Sequence, residues 1–591
     1  MSRILGSPSN VLLLGLAVYV LIGTMFRWGN MSTHPIIDAD GKGYYAYLPA
    51  LFIHDDLSFG FVEAYEEKYY EPSHYVHFTH KAGEGVVNKY FIGTSLLMSP
   101  FFAMAHWAAQ ANGSPADGYS WPYQMSVSLA AMFWLFFGAW LWMRFLAALG
   151  CPAVVRSLSV VALLFGTGLF YYALDKPSAS HVYSTSMVCV ALFLTQRVFD
   201  NKGVKPLVLL GAVVGLIALI RPTNLLVVMA LPFVAADVET LRRHLPHKAN
   251  LLDWGLAFLA FGSVCAMQPI MYWVQTGFPW VWSYGEEGFD FAQPEIFNVL
   301  WSYRKGLFVY TPMALLGLAG VLWRFKTNAF QAGVISAFFV LSTWVISSWW
   351  CWYYGGSFGM RPFLEYMPIL LMGVPWLWEH RRRGLKWLLA LLVAVLVYVN
   401  VVQSYQFQQN IMPWDGMTKE SYHGIFLNTN RELVGYYHNY PEKWRYAGID
   451  SVTHRHDFTL SKGWKNERIL PDMGMSSFSK KHVYGPVFRQ DLDSLWASKI
   501  DVIRVTSKLK GSGFMTEAAI VVAMKDSIGR QFYWDCLPIA PQMRKRGWNE
   551  VSHVFRLGPV QERATVEAYL YKEDNSSLLI DDMAVTFLNV E

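Results

Sequence analysis

Asp38 and Asp40, one residue apart, are the residues of this sequence whose types and spacing best suit chemistry. They follow the first apolar segment and precede a run of glycines and tyrosines that includes Tyr44 and Tyr45. A carboxylate beside an apolar segment is costly to remove from water, so it either stays solvated in a plain loop or is retained for a function. Taken alone, the pair favours a solvated loop, because most polar loops lie at the protein surface in contact with water. The functional interpretation gains weight from the rest of the chain.

The composition is typical of a protein that crosses a membrane many times. Of the 591 residues, 54% are hydrophobic and 15% are charged, whereas soluble domains carry about 25% charged residues. Apolar runs of roughly 20 residues bounded by Arg or Lys recur along the chain. The net charge of +5 needs no nucleic-acid partner, because most basic clusters lie between apolar runs. The five cysteines show no spacing typical of zinc sites or disulfide frameworks.

The basic clusters give these apolar runs one consistent orientation. When the apolar stretch 90–109 lies along the interface or is re-entrant, every second connection carries the Arg and Lys residues. This pattern predicts a polytopic α-helical membrane domain of about eleven helices, with a cytoplasmic N-terminus and both aspartates outside. The first run lacks a small-residue cleavage site, which indicates a retained helix rather than a signal peptide. The predicted spans are 10–26, 122–146, 158–173, 181–196, 206–220, 223–236, 254–275, 307–323, 328–350, 362–379 and 386–404.

Basic residues in the outer connections are the next candidates, because loop cations are normally sparse on that face. Arg221, Arg304, Lys305 and Arg361 all lie there. Long cations near helix ends often reach the interface or pair with a nearby acid such as Glu365. The alternative is an anionic lipid headgroup or a phosphate, for which Arg offers a forked pair of donors. For each residue taken singly, a structural role and a phosphate-binding role are equally favoured. The presence of several such cations together favours the binding of a phosphate or an anionic headgroup.

An aromatic run and one histidine add to the outer connections. Trp352 and Tyr353 precede a glycine-rich stretch over 355–359, which predicts a tight turn or a close backbone approach. Aromatic belts at membrane interfaces would explain the aromatic residues alone. Aromatic faces beside small residues also suit a sugar ring or a prenyl chain. His181 opens an apolar helix, and a structural role is favoured because no metal-ligand or triad partner has a recognisable spacing.

The last third of the chain changes from apolar runs to strand patterns. Apolar and polar residues alternate over 565–571, and similar short runs recur between turn signals. They predict an all-β sandwich of the jelly-roll kind outside the membrane. We expect its core to contain Trp496, Trp534 and Trp548, because large aromatic residues dominate such cores. The alternative is that these tryptophans form a surface that stacks on sugars. The predicted domains are a transmembrane catalytic domain over 1–404, whose first outer loop is 27–121, a linker over 405–450 and the β-domain over 451–591.

Taken together, these features resemble the GT-C superfamily of membrane glycosyltransferases, which use polyprenyl-phosphate-linked sugars. The stretch Asp38–Pro49 resembles the first outer loop of that superfamily, which carries the catalytic acid, and 88–94 resembles the start of its interfacial helix. The Ile220–Thr223 segment resembles a recurrent helix break there. The resemblance covers residues 10–400 and is closest to bacterial branches similar to protein mannosyltransferases. The C-terminal domain resembles carbohydrate-binding modules appended to some members.

The resemblance implies an inverting glycosyl transfer. Transfer to a hydroxyl needs a base for the acceptor proton and cations for the departing phosphate, and inversion requires only one essential carboxylate. We expect Asp40 to be the base, with Asp38 orienting it, binding the acceptor or holding a metal. Many members carry Asp-Glu where this chain has Asp-x-Asp, so the choice between the two aspartates stays open. The phosphate candidates are Lys89, Arg304, Lys305 and Arg361, and the sugar or lipid cleft candidates are Tyr44, Tyr45, His181, Arg221, Trp352, Tyr353 and Glu365.

The expected partners are a polyprenyl-phosphate-linked sugar, a glycan, lipid or protein acceptor, and membrane lipids, with no nucleic acid. The expected location is a bacterial inner membrane with the C-terminal domain periplasmic. No cofactor is required, and a divalent metal stays open. Alternatives are a flippase or transporter, which would show internal repeats or charges near mid-membrane, a polymerase or ligase for lipid-linked glycans, and a non-catalytic glycan-binding membrane protein.

Overall fold

The structure, a computed structural model of the whole chain, divides into two compact units, Met1–Gln408 and Gln409–Glu591. It describes residues 7–30, 35–70, 78–200, 203–244, 251–285, 287–379, 382–430, 433, 452–456, 464–465, 469–470, 475–478, 484–492, 502–511, 518–526, 531–539, 548–556, 564–572 and 578–588.

The first unit is a polytopic α-helical membrane protein, as the sequence predicts. Six helices in its described part are long and apolar enough to cross a membrane. Their windows combine high mean hydropathy with few charges, so burial in a bilayer removes little polar surface from water. These helices are Pro8–Phe26, Trp121–Ala148, His181–Phe199, Leu251–Thr276, Ala329–Ser347 and Arg383–Gln408.

Several other apolar segments form shorter helices, some of which begin with a proline in the first turn. Predicted span 223–236 consists of the 3₁₀ helices Pro222–Met229 and Leu231–Ala235, each with a proline in its first turn. The interfacial stretch predicted over 90–109 forms the helix Gly93–Asn112. The remaining helices of this unit are Trp28–Asn30, Asp40–Pro49, Ala50–His54, Val62–Tyr69, Ala153–Phe165, Leu169–Leu174, Val204–Ile220, Val238–His244, Ile296–Trp301, Leu307–Tyr310, Pro312–Arg324, Arg361–Tyr366, Met367–Leu370 and Gly373–Glu379.

The helix Asp40–Pro49 lies among the elements that position the candidate site. Its apolar residues Tyr44 and Tyr47 are buried in a cluster with Tyr90 and Leu219, which anchors the helix to the end of Val204–Ile220. A short antiparallel hairpin, β1 (Thr79–Ala82) and β2 (Gly85–Asn88), leads directly to Tyr90. Burial of several aromatic rings at this junction provides a rigid support for the residues at the helix N-terminus.

The second unit contains two antiparallel sheets that share one hydrophobic core, so it forms the β-sandwich that the alternating patterns predict. The strands are β3 Val452–His456, β4 Trp464–Lys465, β5 Ile469–Leu470, β6 Met475–Phe478, β7 Tyr484–Leu492, β8 Val502–Gly511, β9 Ala518–Lys525, β10 Gln531–Pro538, β11 Asn549–Arg556, β12 Ala564–Lys572 and β13 Leu578–Leu588. One sheet has the order β10-β9-β12-β7-β4, and the other has β11-β8-β13-β6-β5 with β3 also paired to β13. A short helix, Lys419–Ile425, precedes the strands.

The tryptophans of the sandwich correct one expectation. Trp534 is 45% exposed and Trp548 is 38% exposed, so neither is a core residue. The core consists instead of aliphatic side chains such as Ile520 and Val566, together with Phe555. The alternation of each strand places large aromatics on either face with equal ease, which is why the pattern alone does not locate them. Trp496 lies outside the described residues.

Candidate active site

A cavity of about 340 Å³ in the first unit brings together charged residues from distant parts of the chain. Its charged lining combines Asp40 from the first outer loop with Lys89, which follows β2, and with Glu287. Arg221 enters from a helix end, and Arg361 from the start of a 3₁₀ helix. The remaining walls are largely aromatic. The aromatic lining residues are Tyr90, Phe91, Trp282, Tyr284, Phe289, Trp349, Trp350, Tyr354 and Tyr366.

The carboxylate of Asp40 is held by one partner at each oxygen. Arg361 Nη1 lies 2.6 Å from Oδ2, and the Tyr90 hydroxyl donates to Oδ1 over 2.7 Å. Burial alone would raise the pKa of Asp40, but the Arg361 guanidinium and the Tyr90 hydroxyl outweigh it and lower the pKa to about 2. Asp40 is therefore an ionised carboxylate in the cavity at neutral pH.

The local backbone explains how Asp40 reaches the cavity. The residue before it, Ala39, has a φ of 49°, a left-handed conformation that is costly for a side chain with a Cβ. This turn lets Asp40 begin the helix Asp40–Pro49. Gly41 follows because a Cβ there would collide with the Ser178 side chain, so only glycine permits this approach.

Asp38 lies in the same loop but outside the cavity lining. Its Oδ2 forms an ion pair with Lys176 Nζ at 2.5 Å, and its side chain is 9% exposed. The Asp38 backbone N–H donates to Ser178 Oγ over 3.4 Å, so the loop is bound to 176–178 at two points. The carboxylate raises the pKa of Lys176 despite the opposing effect of burial. Asp38 thus has a structural partner next to the residue that the sequence offers as base.

Arg221 is held by a buried acid. Glu365 is completely buried, and its Oε1 lies 3.0 Å from His181 Nδ1 and 3.4 Å from Arg221 Nη1. His181 begins its helix and also contacts the Tyr172 ring edge-on, with centroids 4.8 Å apart. Since a buried carboxylate needs a charge partner and hydrogen bonds, this arrangement fixes Glu365 and, through it, the guanidinium on the cavity wall.

Lys89 shares its position on the wall with an acid. Its Nζ lies 2.5 Å from Glu287 Oε1 and 5.3 Å from the centroid of the Tyr284 ring. The segment that carries both partners is also tied by Ser283 Oγ, which donates to the Lys89 carbonyl over 3.0 Å. Within the segment itself, Trp282 Nε1 donates to the Glu287 carbonyl. This segment therefore forms a wall of the cavity that contains both a cation and an anion.

Several residues that the sequence singles out lie elsewhere. Arg304 stacks on Tyr353 at 3.4 Å and lies 5.9 Å from the Trp352 centroid, and none of the three belongs to the described cavity lining. Lys305 is 2% exposed and donates to the Ser357 carbonyl, so it is used inside the protein. The sequence could not separate these cations from Arg361, because position in a loop does not reveal which way a side chain turns.

Tyr44 and Tyr45 pack beside the site and are not part of the cavity lining. The Tyr44 ring packs on Tyr90 with centroids 4.5 Å apart. The Tyr45 hydroxyl donates to the Gly118 carbonyl over 2.5 Å, and the side chain is buried away from the cavity lining. The residue that sequence reasoning missed is Tyr90 itself, which contacts Asp40 directly. Its only signal in the sequence is its place in the 88–94 segment, which resembles the start of the interfacial helix of the GT-C superfamily.

Metal-binding geometry is a separate question for the acidic residues. Within the ranges that the structure describes, no group of three or more His, Cys, Asp or Glu side chains converges in a way that could hold a metal ion. Asp40 and Asp38 each lie against a cationic side chain, Arg361 and Lys176.

Comparisons with known proteins give remote likenesses. No family model and no curated protein sequence matches the chain. The arabinosyltransferase EmbB from Mycobacterium smegmatis is 10% identical over 98% of this chain with a TM-score of 0.37, and the chain spans 64% of its length. The CBM22-1 xylan-binding domain from Paenibacillus barcinonensis Xyn10C is 14% identical over 24% of this chain and 100% of its own, with a TM-score of 0.18. Both TM-scores are low, so these likenesses do not define the function of this chain.

Proposed function

We propose that this protein is an inverting membrane glycosyltransferase of the GT-C kind, which moves a sugar from a polyprenyl-phosphate donor to a hydroxyl of a glycan, lipid or protein. The observation that carries the proposal is the meeting of the ionised carboxylate of Asp40 with Lys89, Arg221 and Arg361 in one cavity, whose lining also includes Glu287, the partner of Lys89. A base and a cluster of cations are the two requirements of this transfer. The reaction takes place at the periplasmic face of a bacterial inner membrane.

The proposed reaction is one displacement at the anomeric carbon. The acceptor O–H bond breaks and its proton passes to the Asp40 carboxylate, while the acceptor oxygen bonds to the anomeric carbon. The bond from that carbon to the phosphate oxygen breaks, and the polyprenyl phosphate leaves with the electron pair. Arg221 and Arg361 stabilise the negative charge that develops on the leaving phosphate. No cofactor is required, because these guanidinium groups supply the positive charge.

Arg361 connects donor binding to the base. Its guanidinium lies 2.6 Å from Asp40. A phosphate that enters the cavity competes for the same guanidinium, since forked donors bind phosphate at least as well as a carboxylate. As Arg361 turns to the phosphate, Asp40 loses the partner that lowers its pKa most while burial continues to raise it. Asp40 then becomes a stronger base at the moment when the donor is in place.

The walls suit the uncharged parts of the substrates. Trp282 and Trp350 are each 59% exposed at this cavity, and their faces can pack against sugar rings or isoprene units. The β-sandwich holds the acceptor in this proposal, with the exposed Trp534 and Trp548 as its contacts.

The test is a transfer assay in membranes that contain the full chain, with a panel of radiolabelled polyprenyl-phosphate sugars. Wild type is compared with Asp40→Asn and with Asp38→Asn, a matched change in the same loop. We expect label to reach an acceptor with wild type and to be lost with Asp40→Asn. If no donor of the panel is consumed although sugar-free polyprenyl phosphate binds, the transferase proposal is wrong and a flippase is favoured. If Asp38→Asn alone abolishes transfer, the base is Asp38.

A further inference from the structure

We propose that Tyr90 is a positioning residue that holds Oδ1 of Asp40 and so assigns Oδ2 as the atom that takes the acceptor proton. This inference rests on the proposed function and specifies it at the level of single atoms. The two oxygens of the carboxylate have different partners: the Tyr90 hydroxyl donates to Oδ1 and Arg361 Nη1 donates to Oδ2. Only the second partner is a cation that a phosphate can draw away.

The position of Tyr90 is fixed by several independent contacts. Its backbone N–H donates to Asn88 Oδ1 over 2.9 Å, and its carbonyl accepts from the Tyr47 hydroxyl over 3.0 Å. Asn88 is completely buried, and its Nδ2 donates to the Gly43 carbonyl over 2.7 Å. Asn88 therefore links the end of β2, just before Tyr90, to the helix that carries Asp40.

The ring of Tyr90 is confined as well as its backbone. It packs against Tyr44, and a Cβ at Gly43 would collide with it, so the ring lies directly on the Asp40 helix. Burial and the neighbouring carboxylate raise the pKa of Tyr90 well above its usual value. The hydroxyl therefore stays protonated and can only donate to Asp40 as long as the carboxylate is ionised.

These contacts make the Tyr90 hydrogen bond the permanent one. When Arg361 turns toward a phosphate, a carboxylate without a second partner is free to rotate about its Cβ–Cγ bond. A donor fixed on Oδ1 restricts that rotation and leaves Oδ2 exposed to the cavity. A base that is held in one orientation reaches the acceptor proton more often than one that rotates. Tyr90 is therefore expected to affect the rate of transfer rather than donor affinity.

The test is Tyr90→Phe in the full-length protein, which removes one oxygen and keeps the ring. With the radiolabelled polyprenyl-phosphate sugar that wild type consumes, we expect kcat to fall about ten- to a hundred-fold. The donor KM and the affinity for sugar-free polyprenyl phosphate should stay within about two-fold of wild type. The acid limb of the kcat–pH profile should move to higher pH, because the lost hydrogen bond had favoured the ionised carboxylate.

The matched control is Tyr19→Phe, since the Tyr19 side chain is buried too and its hydroxyl donates one hydrogen bond, to the Leu164 carbonyl, over 2.5 Å. It should lose comparable thermal stability without moving the pH profile. A 3-fluorotyrosine at position 90 keeps the shape with a more acidic hydroxyl, and it should move the acid limb to lower pH. A fall in kcat with an unmoved acid limb in both position-90 variants would show a merely structural role and overturn the inference. Wild type without transfer activity would instead overturn the proposed function.

Discussion

Single side chains decide the chemistry of this cavity, and charge pairing decides which of them are available. Asp40 is ionised because Arg361 and Tyr90 outweigh the cost of its burial. This pairing also contributes stability, which is present above the unfolded pKa of about 3.9 and is lost as the pH falls through the folded value of about 2. Lys89 and Arg221 are paired as well, with Glu287 and Glu365. Each cation of the cavity is therefore paired with an acidic side chain, and a donor phosphate must either displace that acid or bind beside it.

Replacing Arg361 by Gln should separate its two roles. Loss of the guanidinium removes the largest influence that lowers the pKa of Asp40, while burial stays, so this pKa rises. We therefore expect the acid limb of the kcat/KM–pH profile for donor transfer to move to higher pH. Affinity for polyprenyl phosphate should fall about ten- to a hundred-fold, because a charged hydrogen bond is lost. Arg243→Gln, which breaks the exposed pair with Glu239, is the control and should alter neither quantity.

The sequence predicts some of the charged residues of the cavity, but it also predicts cations that lie elsewhere. The sequence identifies Asp40, Lys89, Arg221 and Arg361 as candidates, and the structure places all four on one cavity. Their catalytic and binding roles stay predictions. The sequence also offers Arg304, whose guanidinium stacks on an aromatic ring. Side-chain direction within a loop depends on tertiary contacts that no spacing rule contains.

At the scale of elements, the loop before the helix Asp40–Pro49 is the critical part. Its left-handed Ala39 and the Asp38–Lys176 ion pair set where that helix begins. The segment predicted to lie along the interface is a continuous helix, Gly93–Asn112, and predicted spans with internal prolines are broken into short pieces. Hydropathy identifies apolar segments well, but it does not show where a helix stops, because tertiary contacts decide whether a proline breaks the helix, as at Pro232, or lies within it, as at Pro100.

Gly41→Ala should displace the start of that helix. The new methyl group would collide with the Ser178 side chain, and overpacking of this kind costs about 1–3 kcal/mol. We expect a lower thermal unfolding midpoint and a reduced kcat, since Asp40 would shift relative to the cations. Gly29→Ala is the matched control, because nothing lies within 4 Å of the Cβ position there. Unchanged transfer in Gly41→Ala with a collision relieved by Ser178 alone would contradict this account of the helix start.

At the scale of the whole molecule, the chain combines two units with different physics. The first is a helical membrane protein whose charged groups converge on a cavity. The second is a β-sandwich with an aliphatic core. The sequence predicts both classes, because apolar runs and alternating runs are distinct periodicities. It does not predict which face each tryptophan occupies, since Trp534 and Trp548 are exposed.

The double variant Trp534→Ala and Trp548→Ala tests whether the sandwich holds the acceptor. Each ring still buries more than half of its surface, so we expect each substitution to lower the free energy of unfolding by about 1–2 kcal/mol. With a polymeric glycan acceptor, we expect KM to rise several-fold at an unchanged kcat. Phe555→Ala, a core substitution in the same unit, should instead lower stability strongly. An unchanged acceptor KM in the double variant would remove the sandwich from acceptor binding.

The proposed mechanism requires Asp40 to take the acceptor proton while the cations bind the donor phosphate. The most direct measurement is the transfer rate together with the affinity for polyprenyl phosphate, determined on wild type and Asp40→Asn under the same conditions. We predict that Asp40→Asn reduces transfer by about 10²–10⁴-fold while its affinity for polyprenyl phosphate is retained or increased, because Arg361 loses a competing anion. Transfer within about ten-fold of wild type would contradict Asp40 as the base.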